Sequence, residues 1–299
     1  MHRFRDTAVI FLLAAIWGFS YIFIRVAVPA FGPIGLSLAR VAIGSIGLLA
    51  WAVARGGLAQ VPRINRPFLI LATMNALIPY SLIAVAELHI SASLAAVLNS
   101  TTPLFAAALV AWIAKEHIGK PVAVGLAMGM LGVGILVGWS PVPLNRGVLL
   151  SIVAMLVASA SYAGATMYAK HGVHGVSPFG MAIGQQITAT MLLLPLGAAS
   201  SLVGEADKPM SGKAVWAIIV LGLICTSLAY LLYFHLIATV GVLRTASVTF
   251  LIPIFGIFWG WLFLNEQVHT SMIIGLVLIL ASVRLVNRRP SRQAAVIKM

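Results

Sequence analysis

The chain has 299 residues, 61% of them hydrophobic and 8% charged, with a formal charge of +13 and a mean hydropathy of +1.07. A soluble domain carries about 25% charged residues, so this composition excludes a water-soluble fold of such size and indicates an all-α membrane protein. The basic excess does not point to nucleic acid, because no basic stripe interleaved with stacking aromatics is present. The single cysteine, Cys225, excludes an internal disulfide and a cysteine-based metal site. No cofactor and no metal are expected.

In chain order, the short basic segment Met1 to Asp6 leads into an apolar stretch reaching about Val28, with Trp17 and Tyr21 where a signal-cleavage region would lie. That pattern predicts a retained first helix. A spanning helix needs about 20 mostly apolar residues. Ten candidates follow, at 8–28, 34–54, 67–87, 92–114, 121–139, 147–169, 178–203, 214–236, 244–264 and 270–287. Turn-forming stretches separate them, from Pro29–Pro33 at the first junction to Glu205–Lys213 at the seventh. Counting Lys and Arg by loop gives 14 on the side of both termini, 4 on the other and Arg40 inside a helix. Both termini are therefore expected in the cytoplasm.

The sequence repeats itself. At an offset of 150 residues Tyr80 meets Tyr230, Pro103 meets Pro253, Phe105 meets Phe255 and Glu116 meets Glu266. At an offset of 145, Trp17 meets Tyr162, Arg25 meets Lys170 and Pro33 meets Pro178. The predicted architecture is ten transmembrane helices as two inverted five-helix repeats, 1–140 and 141–299, within one integral membrane domain. An odd number of helices per half makes the second half enter from the opposite side, as in secondary transporters.

Several short runs resemble the EamA family of the drug/metabolite transporter superfamily. They are Ala15-Ile16-Trp17-Gly18-Phe19-Ser20-Tyr21, Leu38-Ala39-Arg40, Pro103-Leu104-Phe105 with Glu116, and Pro253-Ile254-Phe255 with Glu266. The resemblance covers 8–287. It implies export of amino acids or related small metabolites, with the aromatic amino-acid exporter branch nearest. The alternative cargo is a drug-like, lipid-linked or nucleotide-sugar molecule.

Trp17, Tyr21 and Arg25 are spaced by four residues and share a helix face. Tyr162, matched to Trp17, and the pair Tyr80 and Tyr230 extend an aromatic set whose apolar bodies and polar tips suit an amino acid. Ordinary interhelix packing is the competing reading for each. Asn99 and Gln185 are polar at membrane depth, where side chains face the bundle or a wet cavity. The expected substrate contacts are therefore Trp17, Tyr21, Tyr80, Asn99, Tyr162, Gln185 and Tyr230. Proline removes the amide that would bond the carbonyl four residues back, so Pro103 and Pro253 are expected gating hinges and the Asn99 carbonyl is left free for solvent, hydroxyls or substrate. Arg40 is read three ways: snorkelling, a shared structural role, or holding a carboxylate. Glu116 and Glu266 read as loop or cap residues.

Absences narrow the function further. No phosphate-cradling G-x-x-x-x-G-K-[ST] run occurs, and the six carboxylates lie at span ends or in loops. A cation/proton antiporter normally needs a buried mid-span acid, so a neutral or zwitterionic cargo is expected. No acid or His cluster suggests an enzyme. The expected partners are a small-molecule substrate and the lipid bilayer, with no nucleic acid; a monomer is expected, with a homodimer as the alternative.

Overall fold

The computed structural model describes residues 2–286 apart from 115–119, 140–144, 174, 203, 205, 207, 241–244 and 246–247. Among the described residues there are helices and no strands. The first half holds α1 (His2–Phe31), α2 (Pro33–Ala54), α3 (Arg66–Ala72), α4 (Ile78–Ala86), α5 (Ala92–Asn99), α6 (Thr102–Ala114) and α7 (Lys120–Gly138). The second holds α8 (Arg146–Gly172), α9 (Pro178–Leu202), α10 (Gly212–Gly222), α11 (Ala229–Val240), α12 (Val248–Leu264) and α13 (Thr270–Val286).

Seven helical segments are long and apolar enough to cross a membrane: Asp6–Phe31, Pro33–Ala54, Arg66–Ala86, Ala92–Leu109, Arg146–Ala169, Pro178–Leu202 and Gly212–Val240. Three further apolar helices are shorter: Ala123–Gly138, Val248–Leu264 and Thr270–Leu285. The protein is thus a multi-pass, all-helical membrane protein.

Three local features depart from the simple span pattern. First, Pro29 does not end α1. The helix continues through it to Phe31, and Gly32, at φ 67°, makes the turn into α2 with Pro33 at the first helical position. Only glycine takes that backbone conformation without strain. Second, the third and eighth spans each contain a π-helical turn, Thr73–Leu77 between α3 and α4 and Leu223–Leu228 between α10 and α11. They begin 150 residues apart. In the second, Thr226 Oγ1 donates to the Leu221 carbonyl at 3.0 Å, five residues back, and Ser227 Oγ donates to the Gly44 carbonyl of α2 at 2.9 Å, with the Gly222 carbonyl, five residues back, as its longer alternative at 3.2 Å. Such hydroxyl bonds hold carbonyls that the widened turn would leave open in an apolar setting.

Third, the fourth span is two helices. α5 ends at Asn99 and α6 starts at Thr102. At this break the Val97 and Leu98 carbonyls accept the Ser100 and Thr101 amides at 3.1 Å and also the hydroxyls of the same residues at 2.5 and 2.7 Å, while the Asn99 carbonyl accepts the Thr102 hydroxyl at 2.8 Å. The Asn99 carbonyl, expected free, is therefore satisfied within its own turn. In the matched ninth span, α12 runs from Val248 to Leu264 with Pro253 inside it, and Phe250 and Leu251, the mates of Ser100 and Thr101, lie within that helix.

Packing interlocks the halves. α1 lies against α10 and α12, and its repeat mate α8 lies against α4 and α6. α2 pairs with its own mate α9, and α7 with its mate α13. Small residues permit the closest approaches. A Cβ at Gly18 would stand 2.7 Å from Phe255 Cβ and 2.9 Å from the Gly256 nitrogen. On the α7–α13 seam, Gly132 and Gly275 meet each other's backbone carbonyls, whereas Gly134 and Gly138 face open space. Trp112, Trp139, Trp216 and Trp261 are exposed, as side chains facing lipid or its interface would be. Trp51 instead stacks on Phe179 at 4.8 Å.

Candidate functional site

The two π-turns deliver the centre of the site. Each is followed within one helical turn by a tyrosine, Tyr80 on α4 and Tyr230 on α11. Their hydroxyls approach to 3.5 Å, so the matched tyrosines of the two halves meet tip to tip. Gln185 of α9 donates to Tyr230 OH at 2.8 Å and accepts from Asn75 Nδ2, in the first π-turn, at 2.9 Å. A polar chain therefore runs Asn75–Gln185–Tyr230–Tyr80 across the bundle. Fully partnered chains of this kind hold their members in one arrangement.

Around this chain lies a cavity of about 260 Å³. Trp17, Tyr21, Tyr80, Asn99, Tyr162 and Tyr230 all line it, as do Pro103 and Pro253. Gln185 is not a lining residue; it stands behind Tyr230, buried at 4% exposure. Trp17 sits 5.6 Å from Tyr233 and edge-on to Tyr230 at 6.5 Å, giving one wall an aromatic face. Ser159 Oγ lies 3.5 Å from Asn99 Oδ1. Pro103 occupies the first turn of α6, just past the break, and Pro253 lies mid-helix in α12.

Ser20, Asn75, Thr166, Tyr233 and Thr249 also line the cavity, as does Arg40. The offset that matches Trp17 to Tyr162 also matches Arg40 to Gln185, and that pairing was the available sign that α2 and α9 present polar groups at one level. Arg40 is 7% exposed, and its guanidinium carbon stands 4.0 Å from the centre of the Tyr80 ring. Its Nε donates to Thr226 Oγ1 at 3.2 Å. It does not snorkel.

The end of the bundle holding the 3–4 and 9–10 connections is tied shut. The Glu266 carboxylate accepts from the Ala92 and Ser93 amides at 2.8 and 2.9 Å and from Ser93 Oγ at 2.5 Å. It thereby caps the N-terminus of α5 from across the protein, where an anion is most favourable. Arg25 Nη1 donates to the Glu87 backbone carbonyl. The Glu87 carboxyl is fully buried, with neither oxygen hydrogen-bonded among the described residues. Glu116, the mate of Glu266, lies outside the described residues.

Among the described residues the protein is an all-helical membrane bundle with a small aromatic and polar cavity lined from both halves of the sequence. The model of the EamA-like transporter family matches the chain twice, over residues 7–138 and 149–288. The chain belongs to that family, and the family unit occurs in it as a tandem pair. It is 23% identical over 183 residues to the uncharacterized transporter YoaV of Bacillus subtilis (strain 168), covering 61% of this chain and 62% of YoaV. It is 26% identical over 218 residues to the uncharacterized transporter sll0355 of Synechocystis sp. (strain ATCC 27184 / PCC 6803 / Kazusa), covering 66% and 64%. The matched stretches thus span less than two thirds of these relatives' length. A crystal structure 16% identical in sequence superposes with a TM-score of 0.67 over 96% of this chain and 100% of that one, a likeness of fold alone.

Proposed function

We propose that the protein is a secondary transporter that exports amino acids or related small metabolites across the bacterial inner membrane, by alternating access around the central cavity. In this reading ten transmembrane helices form two inverted five-helix repeats, 1–140 and 141–299, with both termini cytoplasmic. The observation that carries it is the meeting of matched residues from both halves in one cavity, with the Tyr80 and Tyr230 hydroxyls 3.5 Å apart. A single site shared by two related halves is what two exchangeable half-open states need. Trp17, Tyr21, Tyr80, Asn99, Tyr162 and Tyr230 contact the cargo, and Gln185 fixes Tyr230. Pro103 and Pro253 are the hinges on which the fourth and ninth spans bend.

Cavity size supports small cargo. About 260 Å³ falls below the ~300–1,000 Å³ of pockets for drug-sized ligands, which disfavours nucleotide-sugars and lipid-linked molecules. The aromatic wall favours the aromatic amino-acid branch of the family. Counterflow of labelled phenylalanine in proteoliposomes tests the proposal. Replacing Trp17 or Tyr162 by alanine is expected to cut the rate at least about tenfold while leaving the folded fraction in detergent intact. Absence of counterflow for every amino acid offered would refute the cargo class. Exchange that runs without an imposed pH gradient is also expected; strict dependence on one would remove the uncoupled form of the mechanism.

A further inference from the structure

Arg40 is the one charged side chain among the described residues lining the cavity. Its immediate surroundings are hydroxyls, rings and a thiol, those of Tyr80, Tyr162, Tyr230 and Cys225, and the buried Glu87 carboxyl acts on it electrostatically without contacting it. Among the described residues no carboxylate pairs with it. The Glu87 carboxyl, seven residues beyond Tyr80, lies about 10 Å further along that helix at 1.5 Å per residue. A guanidinium taken out of water without a counter-ion is costly, so the charge requires a reason.

The fold does not supply that reason. Gln185 stands at the repeat-matched position and, like Arg40, leans on the tyrosine of its own half. A neutral side chain therefore serves the same place in the same frame. What the charge adds is an anchor. Nε is tied to Thr226 Oγ1, itself set by its bond to the Leu221 carbonyl in the π-turn, and the plane is held over the Tyr80 ring. Among the described residues no protein hydrogen bond uses the two Nη groups. They form the fork that matches a carboxylate.

We infer that Arg40 is the specificity-determining residue of the cavity and that the cargo is a small organic monocarboxylate with an apolar or aromatic body, bound through its carboxylate to the Arg40 fork. This deepens the proposed export of amino acids or related metabolites and rests on it. One guanidinium matches one negative charge, so di-anionic phosphates are a poor fit. No lining carboxylate waits for an ammonium, so the amino group of an amino acid is tolerated rather than required. The body lies against Trp17 and Tyr233.

The experiment compares 3-phenylpropanoate, phenylalanine and phenethylamine, which share a ring and differ in which charge they carry, in proteoliposome counterflow. Wild type is expected to exchange the first two and not the third. Arg40→Gln, which copies the molecule's own second half, is expected to fold and to lose at least about tenfold in rate for both carboxylates. 3-Phenylpropanoate is expected to raise the thermal midpoint of wild type in detergent and to leave that of Arg40→Gln unmoved. Should Arg40→Gln fail to fold, Thr226→Val keeps the charge but frees Nε, and its KM for the carboxylates should rise severalfold. Exchange by Arg40→Gln within twofold of wild type, or an unchanged KM in Thr226→Val, overturns the inference and leaves the cargo reading standing. Wild-type exchange of phenethylamine alone, or of none of the three, overturns both.

Discussion

At matched depth, α2 presents Arg40 and α9 presents Gln185, and each contacts the tyrosine of its own half. The tyrosines meet, the π-turns that precede them begin 150 residues apart, and the helices dock on one another in matched pairs. Against this common frame, the contents differ in two ways. One half carries a charge where the other carries an amide. One half breaks its helix at Ser100 and Thr101, whereas the matched Phe250 and Leu251 of the other lie within a helix. The residues at the break explain the second difference. The Thr102 hydroxyl supplies a donor for the Asn99 carbonyl, and Ser100 and Thr101 add theirs to carbonyls that already hold an amide, whereas the matched Phe250, Leu251 and Ile252 have none to give. In an apolar medium a carbonyl must have a partner, so Phe250 to Ile252 stay helical. Symmetry thus resides in the frame, and the divergence is concentrated where the cavity is lined.

The largest effect is expected from erasing the first difference in the wrong direction. Gln185→Arg would place a second guanidinium in the cavity wall and leave Asn75 Nδ2 without its acceptor. Two unpaired buried cations cost about 3–5 kcal/mol, so little folded, monodisperse protein should be recovered in detergent. A Gln185→Arg variant as heat-resistant as wild type would show that the two positions are interchangeable and that the charge asymmetry means nothing. Next comes Glu266→Ala, which strips the acceptor from two amides and one hydroxyl at the start of α5. The expected cost is about 2–4 kcal/mol, read as a lower thermal midpoint, with Glu266→Gln recovering part because one oxygen remains. A change of under a degree in Glu266→Ala would mean that the cap does not hold this end of the bundle together.

The membrane class, the aromatic set and the repeat are all readable from composition and spacing, because hydropathy and residue identity at fixed offsets are local facts. Trp17, Tyr21, Tyr80, Asn99, Tyr162 and Tyr230 converge on one cavity as their repeat positions and helix faces suggest. The π-turns are not readable, since Thr73–Leu77 and Leu223–Leu228 look like ordinary helix and widen only where hydroxyls and neighbouring helices hold them. Gln185 could be chosen as polar at depth, but its place behind Tyr230 depends on how α9 rotates against α11, which spacing does not specify. Arg40 is ambiguous for the same reason: a guanidinium seven residues past a helix start can snorkel or turn inward, and Thr226, 186 residues away, decides it. The partner of Glu266 is equally remote in sequence.

The break in the fourth span gives a smaller, additive test. Thr102→Val removes the hydroxyl that satisfies the Asn99 carbonyl and should cost about 1 kcal/mol, whereas Thr101→Val should cost less because the Leu98 carbonyl keeps the Thr101 amide. If the pair together cost nothing, the chain must be closing the break into helix, as at Phe250 and Leu251. Amide exchange at Leu104 and Phe105 would reveal that closure, because both amides now bond the Thr101 carbonyl, at 2.9 and 3.3 Å.

The smallest effects separate the tyrosines themselves. Tyr230 OH accepts from Gln185 at 2.8 Å, and losing it in Tyr230→Phe leaves a buried amide hydrogen without its partner. That change should cost about 1 kcal/mol. The Tyr80 hydroxyl makes only the 3.5 Å contact, at the limit of a hydrogen bond, while its ring supports Arg40. Tyr80→Phe should therefore lower stability by less than about 0.5 kcal/mol, since the quadrupole beneath the guanidinium survives. Tyr80→Leu removes that face, lets the guanidinium tilt, and should raise KM while Tyr80→Phe does not. Equal responses of Tyr80→Phe and Tyr230→Phe would mean the hydroxyls act as one symmetric pair. Unequal responses in this order place hydrogen bonding in the second half and ring support in the first, the same division that Arg40 and Gln185 draw one helix away.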